Sequence, residues 1–218
     1  MYNYAYKSNL NQGSMVNLTL YEDNTELKTM IPLLSSDKTS HFNLIFYDTC
    51  STEGDYNRHY PVNPHDNPTK ILPTADFRTV DFNNLTEGRK NLAVGLSSLV
   101  RLQDGRFRHM KQLDIDTQFS VSSFLKSVSD ITAGMKGSYS VGSCGGYLVN
   151  SGSGYHYYEK GLLNQSQWEE WMENAKKSGL IDKKWIMLSQ QREYSVLRLN
   201  STTQKPFTPV VLCKFSLE

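Results

Sequence analysis

The chain has 218 residues, and 23 Lys and Arg balance 22 Asp and Glu to a formal net charge of +1. This balance argues against nucleic-acid binding through bulk positive charge, although it leaves room for a local basic groove. The longest apolar runs, such as 209–213, are far shorter than the roughly 18 residues a membrane span needs, so no membrane partner is expected.

The three cysteines, Cys50, Cys144 and Cys213, are widely separated and form no CxxC pair. This spacing argues against a zinc knuckle and fits a reducing compartment. Residues 1–13 are rich in Tyr and Asn and do not have the apolar core of a secretion signal. A cytoplasmic location, in a bacterial, archaeal or phage-infected cell, is therefore expected.

The first 90 residues carry few strong structural signals. Alternating apolar residues predict a strand over 16–20, and a run of β-branched and aromatic residues predicts another over 41–47. Four prolines and many Asn and Asp residues predict a loop over 48–74. We expect residues 1–90 to pack on a core formed by residues 91–218, giving one compact domain overall.

Residues 91–218 hold clearer elements. Asp104-Gly105 is a two-residue turn signal and predicts a hairpin over 99–117. Ser166 and Glu169 suggest a capping box that starts a helix over 167–178. The remaining predicted elements are strands over 91–100, 138–149, 185–188 and 194–199, a helix over 119–131 that Gly134 and Gly137 end, and a Gly-rich turn over 151–158 that enters a strand. The predicted class is α/β or α+β, with a mixed sheet and helices packed on one side.

Two carboxylates, Asp114 and Asp116, stand one residue apart in the predicted return strand of the hairpin. Alternation would place both on one face, with Cα atoms about 6.6 Å apart. Two carboxylates on one face repel each other unless a cation lies between them, and Mg²⁺ and Mn²⁺ prefer such oxygen ligands. A solvated face of an edge strand is the alternative interpretation.

The segment SGSGYH at 151–156 has the composition of a phosphate-binding turn. Its glycines would let the backbone approach a phosphate, while Ser151, Ser153 and His156 supply hydrogen-bond donors. The Gly-Lys-Ser/Thr ending of a Walker motif is missing. An ordinary tight turn would favour the same residues.

Three further charged residues follow in the chain. Asp182 could complete a three-carboxylate metal site, and Arg198 and Lys205 could hold a triphosphate. Taken alone, these residues are better explained as an acid at a helix exit and solvated basic side chains.

The order of these features resembles the archaeo-eukaryotic primase superfamily, most of all the primase-polymerase branch of plasmids, phages and other mobile elements. The resemblance spans roughly residues 90–212, and the SGSGYH turn after LDID is its most specific part. It implies that fold and a template-directed nucleotidyltransferase, a DNA primase or polymerase that joins NTPs or dNTPs on single-stranded DNA with two Mg²⁺ or Mn²⁺ ions.

The resemblance also implies residue roles. The catalytic metal ligands would be Asp114, Asp116 and Asp182, and the nucleotide-binding residues would be Ser151, Ser153, Gly154, His156, Arg198 and Lys205. The chain has Asn200-Ser201-Thr202-Thr203 where the family often has Gly, and it shows neither a zinc-binding stem nor a helicase segment. A helicase or accessory replication protein is therefore an expected partner.

Residues 101–111 contain four basic side chains against one acid. In a strand without a bulge, Arg106 and Arg108 would share a face with Asp114 and Asp116, where they could hold template or primer phosphates. A solvated basic face is as good an interpretation. Two other functions stay open: a non-catalytic module of the same fold that binds nucleotide or DNA, and a metal-dependent nuclease.

Overall fold

The computed structural model describes residues 2–7, 15–21, 27–34, 38–49, 69–116, 119–135 and 145–217. No helix in these ranges has the length and apolar character needed to cross a membrane. The expected loop between residues 50 and 68, the expected strand residues 138–144, Gly137 and two of the cysteines lie outside the described residues.

Within these ranges ten strands form a single sheet, and every pair of neighbouring strands is antiparallel. In chain order they are β1 (Tyr2–Lys7), β2 (Met15–Leu20), β3 (Thr39–Asp48), β4 (Thr69–Pro73), β5 (Leu92–Leu102), β6 (Phe107–Ile115), β7 (Gly145–Asn150), β8 (Tyr155–Leu163), β9 (Val196–Arg198) and β10 (Val210–Leu217). The order across the sheet is β1-β2-β10-β7-β8-β6-β5-β3-β4, and β9 pairs with β5. The α+β class is confirmed, with an antiparallel sheet where a mixed one was expected.

The described residues form five α-helices beside the sheet: α1 (Leu27–Leu34), α2 (Thr74–Phe77), α3 (Val121–Ala133), α4 (Gln165–Ser178) and α5 (Lys183–Arg192). A 3₁₀ turn covers Asn84–Thr86. Consecutive residues of a strand point to opposite faces of the sheet. On β8, Tyr157 packs with α3 and α4, whereas Tyr158 packs with α1. Helices therefore cover both faces of the sheet, and the expectation of helices on one side was wrong.

The predicted hairpin is formed by β5 and β6. Gly105 adopts a φ of +84° in the turn, a left-handed conformation that glycine tolerates well. Beyond the turn the strands part, because β5 pairs with β6 only over residues 99–101 and then pairs with β9 over 95–97. On its other edge, β6 pairs with β8 from His109 onward. This parting brings the short strand β9 into the middle of the sheet.

Three predicted elements differ from the structure. Residues 69–73, expected to end the loop over 48–74, form β4 and pair with β3. Residues 185–188 belong to α5, not to a strand, because Asp182 caps a helix whose buried residues include Ile186 and Ser189, three positions apart. Helix α4 begins at Gln165, and its capping box uses Asn164 and Gln167, not Ser166 and Glu169. The predicted end of α4 at Gly179, in the left-handed conformation, is confirmed.

Candidate active site

The centre of the candidate site is a cross-strand pair on β6 and β8. Asp114 lies directly opposite His156, and His156 Nε2 is 3.8 Å from Asp114 Oδ1. The His156 side chain is buried, while 27% of the Asp114 side chain is exposed. Strand pairing thus joins the predicted acid motif to the predicted phosphate-binding turn.

Asp116 lies one residue beyond the end of β6, beside Gly154, which immediately precedes β8. A Cβ atom on Gly154 would stand 2.6 Å from the Ile115 carbonyl oxygen and 3.1 Å from Asp116 Oδ1. Real Cβ atoms do not approach a backbone oxygen this closely. The missing side chain at Gly154 therefore makes room for the Asp116 carboxylate.

The third acid, Asp182, immediately precedes helix α5, although the sequence predicted a strand after it. Its Oδ1 accepts a hydrogen bond of 2.8 Å from the Lys184 backbone N–H, so it is the N-cap of α5. Its negative charge nevertheless raises the pKa of both Asp114 and Asp116. Asp182 is therefore near enough to contribute to the potential of the site while it caps a helix.

The pKa values of the two motif carboxylates are raised. Burial is the largest cause for Asp114 and lifts its pKa to about 7, with further contributions from the charges of Asp116 and Asp182. The pKa of Asp116 is raised by partial burial and then by Asp182. Two cations oppose this shift at Asp114, because Lys205 and Arg198 both lower its pKa. The site thus concentrates negative charge that a bound cation would stabilise.

The carboxylates fit a divalent ion held partly by protein. Among the described residues, no three His, Cys, Asp or Glu side chains converge as a complete metal centre. Mg²⁺ commonly uses one or two carboxylates and takes its remaining ligands from substrate phosphates and water. Asp114 and Asp116 supply two oxygen-donor groups of this kind, so these two residues are the best candidates to hold such an ion.

His156 is electrically neutral in this environment. Burial, and then the nearby charge of Arg198, lower its pKa to about 3, so its approach to Asp114 is not an ion pair. Within the described part of the chain, His156 Nδ1 and the Tyr158 hydroxyl are buried without a hydrogen-bond partner. Buried polar atoms are rarely left unpaired in native proteins, and here they adjoin the carboxylates, as a ligand-binding site would require.

Arg198 on β9 links the loops around the site. Its Nη1 donates to the carbonyl oxygens of Asn200 and Phe207, the latter at 2.7 Å, and its Nη2 donates to the Ser151 carbonyl at 2.8 Å. Only 7% of Arg198 is exposed. Its charge reaches Asp114, but these hydrogen bonds fasten the Gly-rich turn to the segment that follows β9.

The segment after β9 is ordered by side chains rather than by glycine. The Asn200 Oδ1 accepts from the Val94 backbone N–H at 2.8 Å, and its Nδ2 donates to the Leu92 carbonyl at 3.1 Å. The Thr202 hydroxyl accepts from the Lys205 backbone N–H at 3.1 Å. Sequence reasoning noted the absence of glycine here but missed that Asn200 and Thr202 build the turn that presents Lys205.

Lys205 reaches the Gly-rich turn. Its Nζ donates to the Ser153 hydroxyl at 3.1 Å, and both side chains are exposed. The turn closes by a hydrogen bond of 3.0 Å from the Ser151 backbone N–H to the Gly154 carbonyl, and Gly152 adopts a φ of +104°. An exposed ammonium and hydroxyl therefore stand together beside the carboxylates, as phosphate binding requires.

The two arginines of the hairpin lie apart from this cluster. Arg106 precedes β6 and forms an exposed ion pair of 2.5 Å with Asp104 in the turn. Arg108 is half-buried and is six residues from Asp114, about 20 Å along an extended strand. The register of β6 against β8 also shifts between Met110 and Lys111, so the assumption of an unbulged strand was wrong. Their expected role in binding DNA stays a prediction.

Comparison with known proteins gives one match. The family model described as AEP-like, archaeo-eukaryotic primase 1D-like, matches residues 73–209, a range that contains every candidate site residue named above. Searches of curated proteins and of solved structures found no significant match. The sequence motifs, the antiparallel sheet and the family match agree, and the chain belongs to the AEP-like family of archaeo-eukaryotic primases.

Proposed function

We propose that this chain is a template-directed nucleotidyltransferase, a DNA primase or DNA polymerase of the kind carried by phages and other mobile elements. The observation that carries the proposal is the meeting of two opposite charge clusters. The charge of Asp116 raises the pKa of Asp114, and the charge of Asp182 raises the pKa of both carboxyl groups. Lys205, which donates to the Ser153 hydroxyl, is close enough to lower both pKa values. Family membership supports the same chemistry.

In this proposal the 3′-hydroxyl of a growing strand attacks the α-phosphate of an incoming NTP or dNTP, and pyrophosphate leaves. Asp114 and Asp116 would hold Mg²⁺ or Mn²⁺, with Asp182 adding charge from the N-terminus of α5. The bound ions would supply Lewis-acid stabilisation of the attacking and leaving oxygens. Lys205 and Ser153 would bind the terminal phosphates and stabilise the charge that develops on pyrophosphate.

Neutral His156 suits a hydrogen-bonding role in this scheme. A neutral imidazole carries one N–H donor and one acceptor nitrogen, so it would donate to a phosphate oxygen without adding charge. Arg198 would hold the two loops in position and contribute positive potential to the site, because its guanidinium already donates to backbone carbonyls on both loops. Ser151 would offer its side-chain hydroxyl, because its backbone N–H donates to the Gly154 carbonyl and its own carbonyl accepts from Arg198. Gly154 would offer its backbone N–H in the turn between Asn150 and Tyr155.

Single-stranded DNA is the proposed template, and Arg106 and Arg108 are proposed phosphate contacts at the hairpin. Their support is the local excess of basic residues over 101–111. A position distant from the carboxylates suits contact with template or primer some nucleotides away from the reacting end. A helicase or accessory replication protein remains a proposed partner, and the cytoplasm the proposed compartment.

The test is synthesis on single-stranded DNA, with and without a primer, with Mg²⁺ or Mn²⁺ and with each nucleotide type. Asp114→Ala and Asp116→Ala should abolish product while the thermal unfolding transition survives. The matched control is Asp130→Ala, which removes an exposed acid that pairs with Lys126 on α3. Product from either site variant at the wild-type rate would refute the proposal.

The same assay separates the two alternatives. A non-catalytic module would bind nucleotide or DNA but form no product with any ion or primer. A nuclease would shorten the labelled DNA in an Asp114-dependent reaction that needs no nucleotide. The close pairing of Lys205 with Ser153 favours a ligand with free phosphates over a DNA phosphodiester alone.

A further inference from the structure

An exposed aromatic ring stands beside the proposed phosphate-binding turn and has no role in the function described so far. Phe207 is 40% exposed and belongs to none of the apolar clusters formed by the described residues. It follows Lys205 by two positions. Exposing a large apolar ring to water is unfavourable, and this exposed ring lies next to a cationic site.

The position of Phe207 is fixed by contacts on both sides of its backbone. A Cβ atom on Gly152 would stand 2.9 Å from Phe207 Cβ and 3.4 Å from its Cγ, so the base of the ring packs on the glycine backbone. The Phe207 carbonyl accepts the 2.7 Å hydrogen bond from Arg198. The residue is thus anchored to the turn at its stem, while much of its surface remains open.

We propose that Phe207 stacks on the base of the incoming nucleotide, while Lys205 and Ser153 hold its phosphates. This inference rests on the proposed function for the identity of the ligand. An aromatic face binds any of the four bases, because each base has a flat π-face, so the contact would add affinity without selecting sequence. Stacking on one aromatic side chain changes affinity by about tenfold to a hundredfold.

The test measures binding of three probes to the full chain in the presence of Mn²⁺: dATP, inorganic tripolyphosphate and single-stranded DNA. Phe207→Ala should weaken dATP binding about tenfold or more and leave tripolyphosphate and DNA binding unchanged. The variant retains the Cβ that packs on Gly152 and the carbonyl that accepts from Arg198, so the turn should keep its shape. Phe207→Tyr should bind dATP as the wild type does, and Phe207→Leu should not.

The matched control is Phe107→Ala, which removes another exposed ring, 51% exposed, at the start of β6. Loss of tripolyphosphate binding in Phe207→Ala would overturn the inference, because the ring would then only support the turn. Loss of DNA binding alone, unchanged dATP binding, or a wild-type chain that binds no dATP would overturn it as well. A wild-type chain with Phe207-dependent dATP binding but no incorporation would refute the polymerase function and keep the stacking contact.

Discussion

Asp114 and His156 face each other across β6 and β8, with Oδ1 and Nε2 3.8 Å apart, and the environment shifts their pKa values in opposite directions. Burial raises the pKa of Asp114 to about 7 and lowers that of His156 to about 3. Burial disfavours the charged form of each group, so the pair tends toward neutrality when nothing is bound. A cation bound at Asp114 would favour the charged form of its carboxylate, while His156 would stay neutral.

The first prediction concerns Asp114→Asn and stability. Because the folded pKa of Asp114 lies above its unfolded value of about 3.9, its contribution to stability is full below that pH and is lost as pH rises to about 7. The asparagine at position 114 does not titrate. As pH rises from 4 to 7, the free energy of unfolding of the variant should therefore increase relative to that of the wild type by up to a few kcal/mol. Urea unfolding at several pH values without divalent ions measures this difference.

The difference in the free energy of unfolding between the two proteins reports the titration of Asp114, because the titration of His156 affects both proteins. Adding Mn²⁺ at pH 8 should raise the melting temperature of the wild type and leave that of Asp114→Asn nearly unchanged, because ion binding to the folded state adds stability by mass action. A gap between the proteins that does not vary with pH, or equal responses to Mn²⁺, would show that Asp114 is neither strongly desolvated nor an ion ligand.

The second prediction separates Arg198 from an ordinary surface cation. Arg198→Lys keeps the charge but cannot reproduce a fork that reaches the carbonyls of Ser151 and Phe207 at once. We expect the free energy of unfolding to fall by roughly 2 kcal/mol, the cost of leaving buried acceptors unpaired. The control Arg101→Lys, at an exposed position on β5, should change it by less than about 0.5 kcal/mol. Equal stability of the two variants in urea would mean that the fork does not hold the loops.

Local chemistry made part of this structure predictable from sequence. The turn at Asp104-Gly105, the strand that carries Asp114 and the end of α4 at Gly179 depend on residues within a few positions, and all three are found. Residues 185–188 show the limit, because a four-residue apolar run has no distinguishable period and fits a strand or a helix equally well. Only the cap at Asp182 favours the helix.

Contacts between distant segments were harder to predict. The opposition of Asp114 and His156 depends on the register of two strands separated by α3 and β7, which no local pattern sets. The role of Asn200 also depends on a contact between residues far apart in the chain, because its side-chain amide forms hydrogen bonds with the backbone of Val94 and Leu92 on β5. The family resemblance put the acids and the turn in one site, but it did not reveal that Arg198 is already engaged by backbone carbonyls.

The third prediction is that Lys205→Gln impairs nucleotide binding without loss of stability. Lys205 is exposed and its side chain donates only to the exposed Ser153 hydroxyl among the contacts described, so the fold should not depend on it. The KM for the nucleotide should rise about tenfold, the cost of one charge-assisted hydrogen bond, with an unchanged melting temperature. Lys160→Gln, an exposed lysine on β8, is the control and should leave the KM as it is. A KM in Lys205→Gln that matches the control would remove this lysine from the phosphate site.

The last prediction tests the space that Gly154 leaves for Asp116. In Gly154→Ala the new methyl group would stand 2.6 Å from the Ile115 carbonyl and 3.1 Å from Asp116 Oδ1, so the strand end and the carboxylate must move apart. Because a displaced ion ligand weakens catalysis even when substrate still binds, we expect kcat to fall by about a hundredfold and the KM to change little.

The control for this change is Gly161→Ala, within the strand β8 that Gly154 immediately precedes. Gly161 has a φ of +101°, and apart from its chain neighbours no atom of the described residues lies within 4 Å of an added Cβ, so its substitution strains the backbone without touching the site. That variant should lose about 1 kcal/mol of stability and keep the wild-type kcat. Because both variants add one methyl group, one immediately before β8 and one within it, comparing their kcat values separates a local effect on Asp116 from a general effect on β8. A Gly154→Ala protein as active as Gly161→Ala would mean that Asp116 needs no fixed position.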